Sequence, residues 1–337
     1  MKKVSSVAGF LSALLCCVAL MLAPAAGAQQ IVVGQTASPS SPPISCTETS
    51  SYVEIQSSLA GGNSYVFPSP GLVTSWSVWG GSSGAKEFGV KILRPVIGNS
   101  YKVVGGEVGF SLLPGVLNTY PLSVQVEAGD ILGTQYYGDP APCIFETGLS
   151  GDRIRWDQRI AMTSTTFSFD PENTYSGYRT NISATLLPPP AIATFGPLKG
   201  SIKGEKVVIY GANFAEVRSV KFGEHYAKSF TVDSEEQITA IAPSTFKLEK
   251  KLPLSVTTAA GVATSAQTYS YVGCKVPSVA GKKLRPAKRT LRRAGCKLGR
   301  VTKLGDATAR TGHVLRQHPS PGTLRVLGTR VKLTLSP

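Results

Sequence analysis

Val207-Val208-Ile209-Tyr210-Gly211-Ala212-Asn213-Phe214 decides how this chain is read, because four strand-forming residues run directly into a glycine, a small residue and an asparagine. β-Branched and aromatic side chains suit a pleated, half-buried surface, and glycine and asparagine accept turn conformations, so the octet is a strand entering a loop. The unit recurs downstream. Val220-Lys221-Phe222-Gly223, Ile238-Thr239-Ala240-Ile241-Ala242-Pro243, Leu254 to Thr258 and Tyr269 to Val272 are further short apolar runs among turn residues. This spacing predicts a two-sheet sandwich over 191–273. Upstream, Pro188, Pro189 and Pro190 fix φ and favour an extended backbone, which makes 188–190 a stiff linker and a domain boundary.

The pattern continues toward the N-terminus. Ser51 to Ile55, Leu72 to Trp79, Phe88 to Leu93, Tyr101 to Val104, Leu122 to Val126, Ile131 to Tyr137 and Thr180 to Leu186 are seven strand-like runs, predicting a β-sandwich or jelly-roll domain over 44–187. Leu72, Thr74, Trp76 and Val78 are expected on one strand face, with Trp76 in the core and Trp79 pointing the other way. Val124, Val126 and Ala128 lead through Gly129-Asp130 into Ile131-Leu132, a strand, a tight turn and a second strand. Gly105-Gly106 with Gly109 lacks the lysine and helix of a phosphate loop and reads as a hairpin. Residues 29–43 hold Thr-Ala-Ser-Pro-Ser-Ser-Pro-Pro at 36–43, expected to be a Ser/Pro tether. In 1–28, Lys2 and Lys3, an apolar run from Val7 to Leu22, and Ala26-Gly27-Ala28 have the layout of a secretory signal peptide cleaved near Ala28. No later stretch reaches the about 18 apolar residues of a spanning helix, so a secreted, extracellular or cell-wall-associated chain without a transmembrane segment is expected.

The net charge of +15 is local. Residues 29–190 carry 8 basic and 12 acidic side chains, residues 191–273 carry 9 and 7, and residues 274–337 carry 16 and 1. Within that last segment Leu284, Ala287, Leu291 and Ala294 fall on one helical face, Pro286 suits a first turn, and Gly295 supplies a left-handed C-terminal residue. Strands are expected at Lys297 to Lys303, Gly312 to Gln317 and Val331 to Leu335, covering the helix's apolar side. A 64-residue module with one carboxylate, Asp306, must hold most of its cations at the surface, where they attract polyanions.

Two segments resemble known domain families. Ile192, Phe195, Gly196, Pro197, Gly200 and Gly204, followed by the strand runs quoted above with Phe230, make 191–273 similar to the IPT/TIG immunoglobulin-like domains. Cys274, Val276, Pro277, Gly281, Leu284, Ala287, Leu291, Gly295, Cys296, Gly299, Val314, Gln317, Pro319, Pro321, Gly322, Gly328, Val331 and Leu333 make 274–337 resemble a PASTA domain. The fold class is therefore mainly β, with an N-terminal sandwich or jelly roll, an immunoglobulin-like sandwich and a small α+β module. The PASTA resemblance implies recognition of peptidoglycan fragments.

Four cysteines follow the signal segment, Cys46, Cys143, Cys274 and Cys296, an even number in an exported chain, which favours disulfides over metal ligation. Three connectivities are open to them. The domain boundaries make Cys46 with Cys143 and Cys274 with Cys296 the economical pairing.

Catalytic chemistry finds little support. The only histidines are His225, His313 and His318, none of them in the first domain, and the latter two alternate across a strand, so neither a serine triad nor a metal site is expected. Glu127 with Asp130, or Asp152 with Asp157, has the composition of a glycosidase pair, but turn and surface roles suit them better. No cofactor and no enzymatic activity are expected. Trp79, Trp156, Tyr136 and Tyr137 are the candidate carbohydrate platform of the N-terminal domain.

Lys282, Lys283, Arg285, Lys288, Arg289, Arg292, Arg293, Lys297, Arg300 and Lys303 are the candidate binding residues for peptidoglycan or its attached anionic polymers, with the β-domains as spacer or adhesion modules. Two alternatives stand beside this: a glycan or protein ligand of the N-terminal domain, and nonspecific binding of nucleic acid or anionic membrane. The last module contains no Phe, Tyr or Trp to stack on bases, so specific nucleic-acid recognition is not expected.

Overall fold

The computed structural model describes residues 30–46, 51–82, 85–137, 141–158, 165–245, 247–304 and 312–337. The expected signal segment 1–28 and Asp306 lie outside them. The chain is β almost throughout, with one α-helix among the described residues, Leu284–Arg293. No described helix is long and apolar enough to cross a membrane.

The first unit is built from three sheets. A four-stranded sheet runs in the order Ile31–Gln35, Ile182–Leu187, Gly71–Trp79, Leu117–Val126. It faces a seven-stranded sheet ordered Thr166–Ser168, Ser100–Leu112, Ala85–Pro95, Ile131–Tyr137, Ser51–Ser58, Arg153–Gln158, Thr174–Ser176. A third, Tyr178–Thr180, Ala141–Glu146 and Ile44–Cys46, closes one side. Trp76, Phe88, Tyr136, Val73, Ile92 and Leu132 fill the space between the large sheets. Val53, Ile55, Leu93 and Phe169 form a second cluster on the other side of the seven-stranded sheet. Central strands are thus covered on both faces, and Tyr52 to Gln56 are all buried.

Several expectations change here. The unit starts before Ile44: Ile31–Gln35 pairs with Ile182–Leu187, Val33 is 1% exposed and Ala37 2%, so the first part of 29–43 is integral to the sheet rather than tether. Trp76 is fully buried as expected, but Val73 and Val78 accompany it while Leu72 and Thr74 are only half-buried. A register shift between Val73 and Ser75 rotates the strand, which breaks the simple alternation. Gly105, Gly106 and Gly109 mark no hairpin. They lie inside the thirteen-residue strand Ser100–Leu112, whose pairing with Ala85–Pro95 shifts register three times. A Cβ on Gly106 would collide with the Val90 carbonyl, so the glycine admits close backbone approach between two of these shifts. The turn at Gly129-Asp130 exists, but the strands it joins belong to different sheets.

Polar groups tie the sheets together. Asn181, 0% exposed, accepts from the amides of Ala37 (2.8 Å) and Trp79 (3.3 Å) and donates to the carbonyls of Trp79 (2.8 Å) and Pro142 (2.7 Å). Arg179 donates to both oxygens of Asp152 (2.8 and 3.1 Å), to Gln35 Oε1 (2.6 Å) and to the Gly61 carbonyl (2.6 Å). Burial disfavours the Asp152 anion, yet hydrogen bonds from Arg179, the Ala60 amide and the Thr147 hydroxyl outweigh it and hold its carboxyl below the ordinary aspartate value.

The second unit is the expected sandwich. One sheet is Ala191–Gly196, Lys206–Ala212, Gln237–Ile241, Ser229–Ser234, and the other contains Lys199–Ser201, Val262–Lys275, Leu252–Thr257, Ser219–Phe222 and His225–Tyr226. Val207, Ile209, Phe214, Phe222, Ile238, Leu254 and Tyr269 are its core. The opening octet behaves as read: Val207 and Ile209 point inward, and Asn213 takes the left-handed conformation (φ 59°) while its side chain donates to the Pro189 carbonyl at 3.0 Å.

No flexible linker separates this sandwich from the last module. The strand Val262–Lys275 places Tyr269 and Tyr271 in the sandwich core and Cys274 in the next core, and its end pairs with Leu324–Val326. Both disulfides form as paired, Cys46–Cys143 and Cys274–Cys296.

Candidate binding surfaces

The last module is a helix laid on a three-stranded sheet ordered Lys297–Lys303, Arg330–Leu335, Val314–His318. Ala287 and Leu291 are buried against Val331, Leu333, Leu335 and Val314, with Leu284 and Ala294 packed beside them, which is the 3,4,3 face read from sequence. At the helix end, Gly295 takes a left-handed φ of 75°. The Cys296 amide donates to the Leu291 carbonyl (2.9 Å) and the Gly295 amide to the Arg292 carbonyl (3.1 Å), a Schellman closure. Cys296 is thereby set for its bond to Cys274. Arg292 and Arg293 occupy the last turn, where cations complement the helix dipole.

All ten expected cations, Lys282, Lys283, Arg285, Lys288, Arg289, Arg292, Arg293, Lys297, Arg300 and Lys303, are exposed. None is in an ion pair among the described residues. They do not share one face. Lys288, Arg292 and Lys297 line a groove of about 360 Å3 between the helix and the first strand, floored by Cys296, Leu298 and Gly299. Arg300 instead lines a groove of about 330 Å3 with Thr302, Arg316, Gln317, His318, Lys332 and Thr334. Arg316 and Lys332 add to the cations expected from sequence. Their signal was the alternation Arg330, Lys332, Thr334 against Val331, Leu333, Leu335, which marks an outward face as clearly as an inward one.

In the first unit, a cavity of about 190 Å3 is lined by Ser45, Cys46, Tyr52, Glu54, Tyr136, Trp156 and Tyr175. It brings together Trp156 and Tyr136 of the expected platform. Trp79 and Tyr137 do not line it: Trp79 sits on the opposing sheet, half-buried, and Tyr137 is 45% exposed elsewhere. The rings form a row across neighbouring strands, Tyr175 with Trp156 (5.8 Å, 15°), Trp156 with Tyr52 (5.6 Å, 38°) and Tyr52 with Tyr136 (5.8 Å, 7°). Glu54 is 3% exposed and accepts from Tyr136 Oη at 2.8 Å. Tyr52 and Glu54 escape a sequence reading because a strand buried on both faces shows no polar alternation, and Tyr175 because its edge strand is only three residues long. Glu54 lies with Cys46 and Cys143 in a cluster of metal-ligand type, but the disulfide consumes both sulfurs as thiolate ligands.

Of the other candidate carboxylates, Asp157 accepts from the Asp170 amide at 3.4 Å and the remaining three are held in structural pairs. Arg94 bonds Asp130 (2.8 and 2.9 Å) and Glu127 (3.0 Å), and Asp152 belongs to the Arg179 cluster. His225 contacts Glu249 at 3.1 Å in the second unit, distant in the chain from His313 and His318.

An immunoglobulin-like sandwich running into a compact cationic α+β module defines the class of architecture. Residues 190–271 match the model of the IPT/TIG domain and residues 275–337 that of the PASTA domain, so the chain carries an IPT/TIG domain followed by a C-terminal PASTA domain. No curated protein sequence matches the chain. Among solved structures, SGBP-B from a complex xyloglucan utilization locus in Bacteroides uniformis is similar at 15% identity and a TM-score of 0.24, over 65% of this chain and 55% of that one. The chain thus spans little more than half of that protein, and so slight a likeness bears on no ligand.

Proposed function

We propose that this is a secreted, non-catalytic protein of the cell wall, held there by the PASTA domain through peptidoglycan or its attached anionic polymers. The observation that carries this reading is the exposure of every expected cation on a rigid, disulfide-closed module, with no ion pairs among its described residues. Surface charge kept free of partners creates a potential that concentrates polyanions. The two β-units then act as spacer and interaction surfaces, projected by the continuous strand Val262–Lys275.

The test is co-sedimentation of the secreted chain with purified sacculi, beside a chain ending at Gly273. The longer chain is expected in the pellet and the shorter in the supernatant. Sedimentation of both to the same extent rules out the PASTA domain as the anchor. Binding that collapses as salt rises identifies diffuse charge, and binding that persists identifies pocket recognition of a muropeptide.

The aromatic cavity favours a second role for the first unit, binding of a glycan. Tyr175, 50% exposed at the end of the ring row, offers an apolar surface to a sugar, and the cavity beside it is lined by Trp156, Tyr52 and Glu54. On a glycan array, Trp156→Ala is expected to abolish binding and Trp79→Ala to leave it intact. Circular dichroism checks that both variants fold.

A further inference from the structure

The reading of the PASTA domain as the polyanion-binding part leaves open which of its surfaces binds, and the sheet answers this. In the central strand Arg330–Leu335, Val331, Leu333 and Leu335 are buried toward Ala287 and Leu291 of the helix. Lys332 is exposed and Thr334 half-buried on the opposite side. The register sets Lys332 against His318, and Thr334 against both Arg316 and Thr302. The outer face of the sheet therefore carries Arg300, Arg316 and Lys332 around two threonine hydroxyls in one groove. The helix covers the other face, and a separate groove lies where the helix meets the first strand, lined by Lys288, Arg292 and Lys297.

We propose that the outer sheet face is a second, separate anion-binding groove for a linear phosphodiester polymer, making the module bivalent, so that one PASTA domain bridges two polymer strands. This rests on the wall-binding reading and extends it. The donor set is complementary to a phosphodiester, and what sets this ligand apart from a carboxylate-bearing sugar is the lack of an aromatic ring for a sugar face. Two arginine forks and a lysine match the several oxygens around phosphorus, and the threonine hydroxyls donate to the same kind of acceptor. No aromatic side chain lies in 274–337 to stack on a sugar or base. Bridging follows from placement: the two grooves share no lining residue, so a polymer in one leaves the other available to another strand.

The test uses the whole secreted chain with long-chain inorganic polyphosphate as probe and poly-glutamate as the carboxylate comparator. Affinity is read by anisotropy across a salt series, and bridging by turbidity and sedimentation. Two triple variants are compared, Arg300→Gln with Arg316→Gln and Lys332→Gln, and Lys288→Gln with Arg292→Gln and Lys297→Gln. Each is expected to bind more weakly, with the slope of log affinity against log salt smaller by roughly 2 to 3, since each neutralised phosphate contributes about 0.7 to 0.9. Each is also expected to lose most of its bridging, about tenfold at matched occupancy. The proposal is overturned if the sheet-face variant keeps the wild-type salt slope, if either variant bridges as the parent does, or if poly-glutamate is bridged equally well. Failure of the parent chain to sediment with sacculi would sink the wall reading alone, leaving the polyphosphate result to judge bivalency.

Discussion

The first unit and the last module use charge in opposite ways. In the first unit, Asp152 and Arg179 are 0% and 6% exposed and spend their hydrogen-bonding capacity on each other and on neighbouring backbone. In the last module the ten expected cations are exposed, with no ion-pair partner among the described residues. The contrast teaches where to look for ligands. Buried, satisfied charge fixes a packing arrangement, whereas exposed, unpaired charge of one sign leaves its interaction energy for something outside the chain.

The largest losses in either region are expected on removing their disulfides. Cys46 and Cys143 are 97 positions apart and Cys274 and Cys296 only 22. In the chain-entropy account the double serine variants should cost about 4 to 5 and about 3 kcal/mol, read by denaturant unfolding. Equal costs would show that loop length does not govern here. Next in size is Arg179→Ala, which strands a buried carboxylate and should destabilise the first unit by roughly 3 to 5 kcal/mol. The matching change in the last module, Arg292→Ala, should stay within about 0.5 kcal/mol. Similar losses at the two arginines would erase the distinction.

A third, smaller effect is on pH. The folded value of Asp152 lies below its ordinary one, so its ionised form stabilises the fold above about pH 4, where the unfolded group titrates. That contribution is lost as pH falls through the folded value. Acid unfolding of Asp152→Asn should lack this component, and an unchanged acid profile would dissociate Asp152 from it. The smallest effect is a single loss on the last module: Arg292→Gln should weaken polyphosphate binding only a few-fold and lower the salt slope by about 1.

Sequence alone reached unevenly into these regions. The PASTA module was legible nearly throughout, because its helix has a clean 3,4,3 face, its C-terminus carries the glycine that a Schellman closure needs, and its cations cannot be buried without carboxylates. The strands of the IPT/TIG segment announced themselves by alternation between turns. The first unit resisted for physical reasons. Its central strands are covered on both faces, so Glu54 looked no different from a surface residue. Its bulges at Val73/Ser75 and around Gly106 also broke the period that places side chains. Ile31–Gln35 is hard to see beside prolines and serines because an edge strand this short carries its signal in three residues, Ile31, Val32 and Val33.

Fractionation of the source cells into medium, wall and membrane, with the full chain and a chain ending at Gly273 expressed side by side, puts the greatest strain on these ideas. The full chain should be recovered with the wall and released by high salt, and the shortened chain should appear in the medium. Recovery of both in one fraction would contradict the assignment of wall attachment to the cationic module.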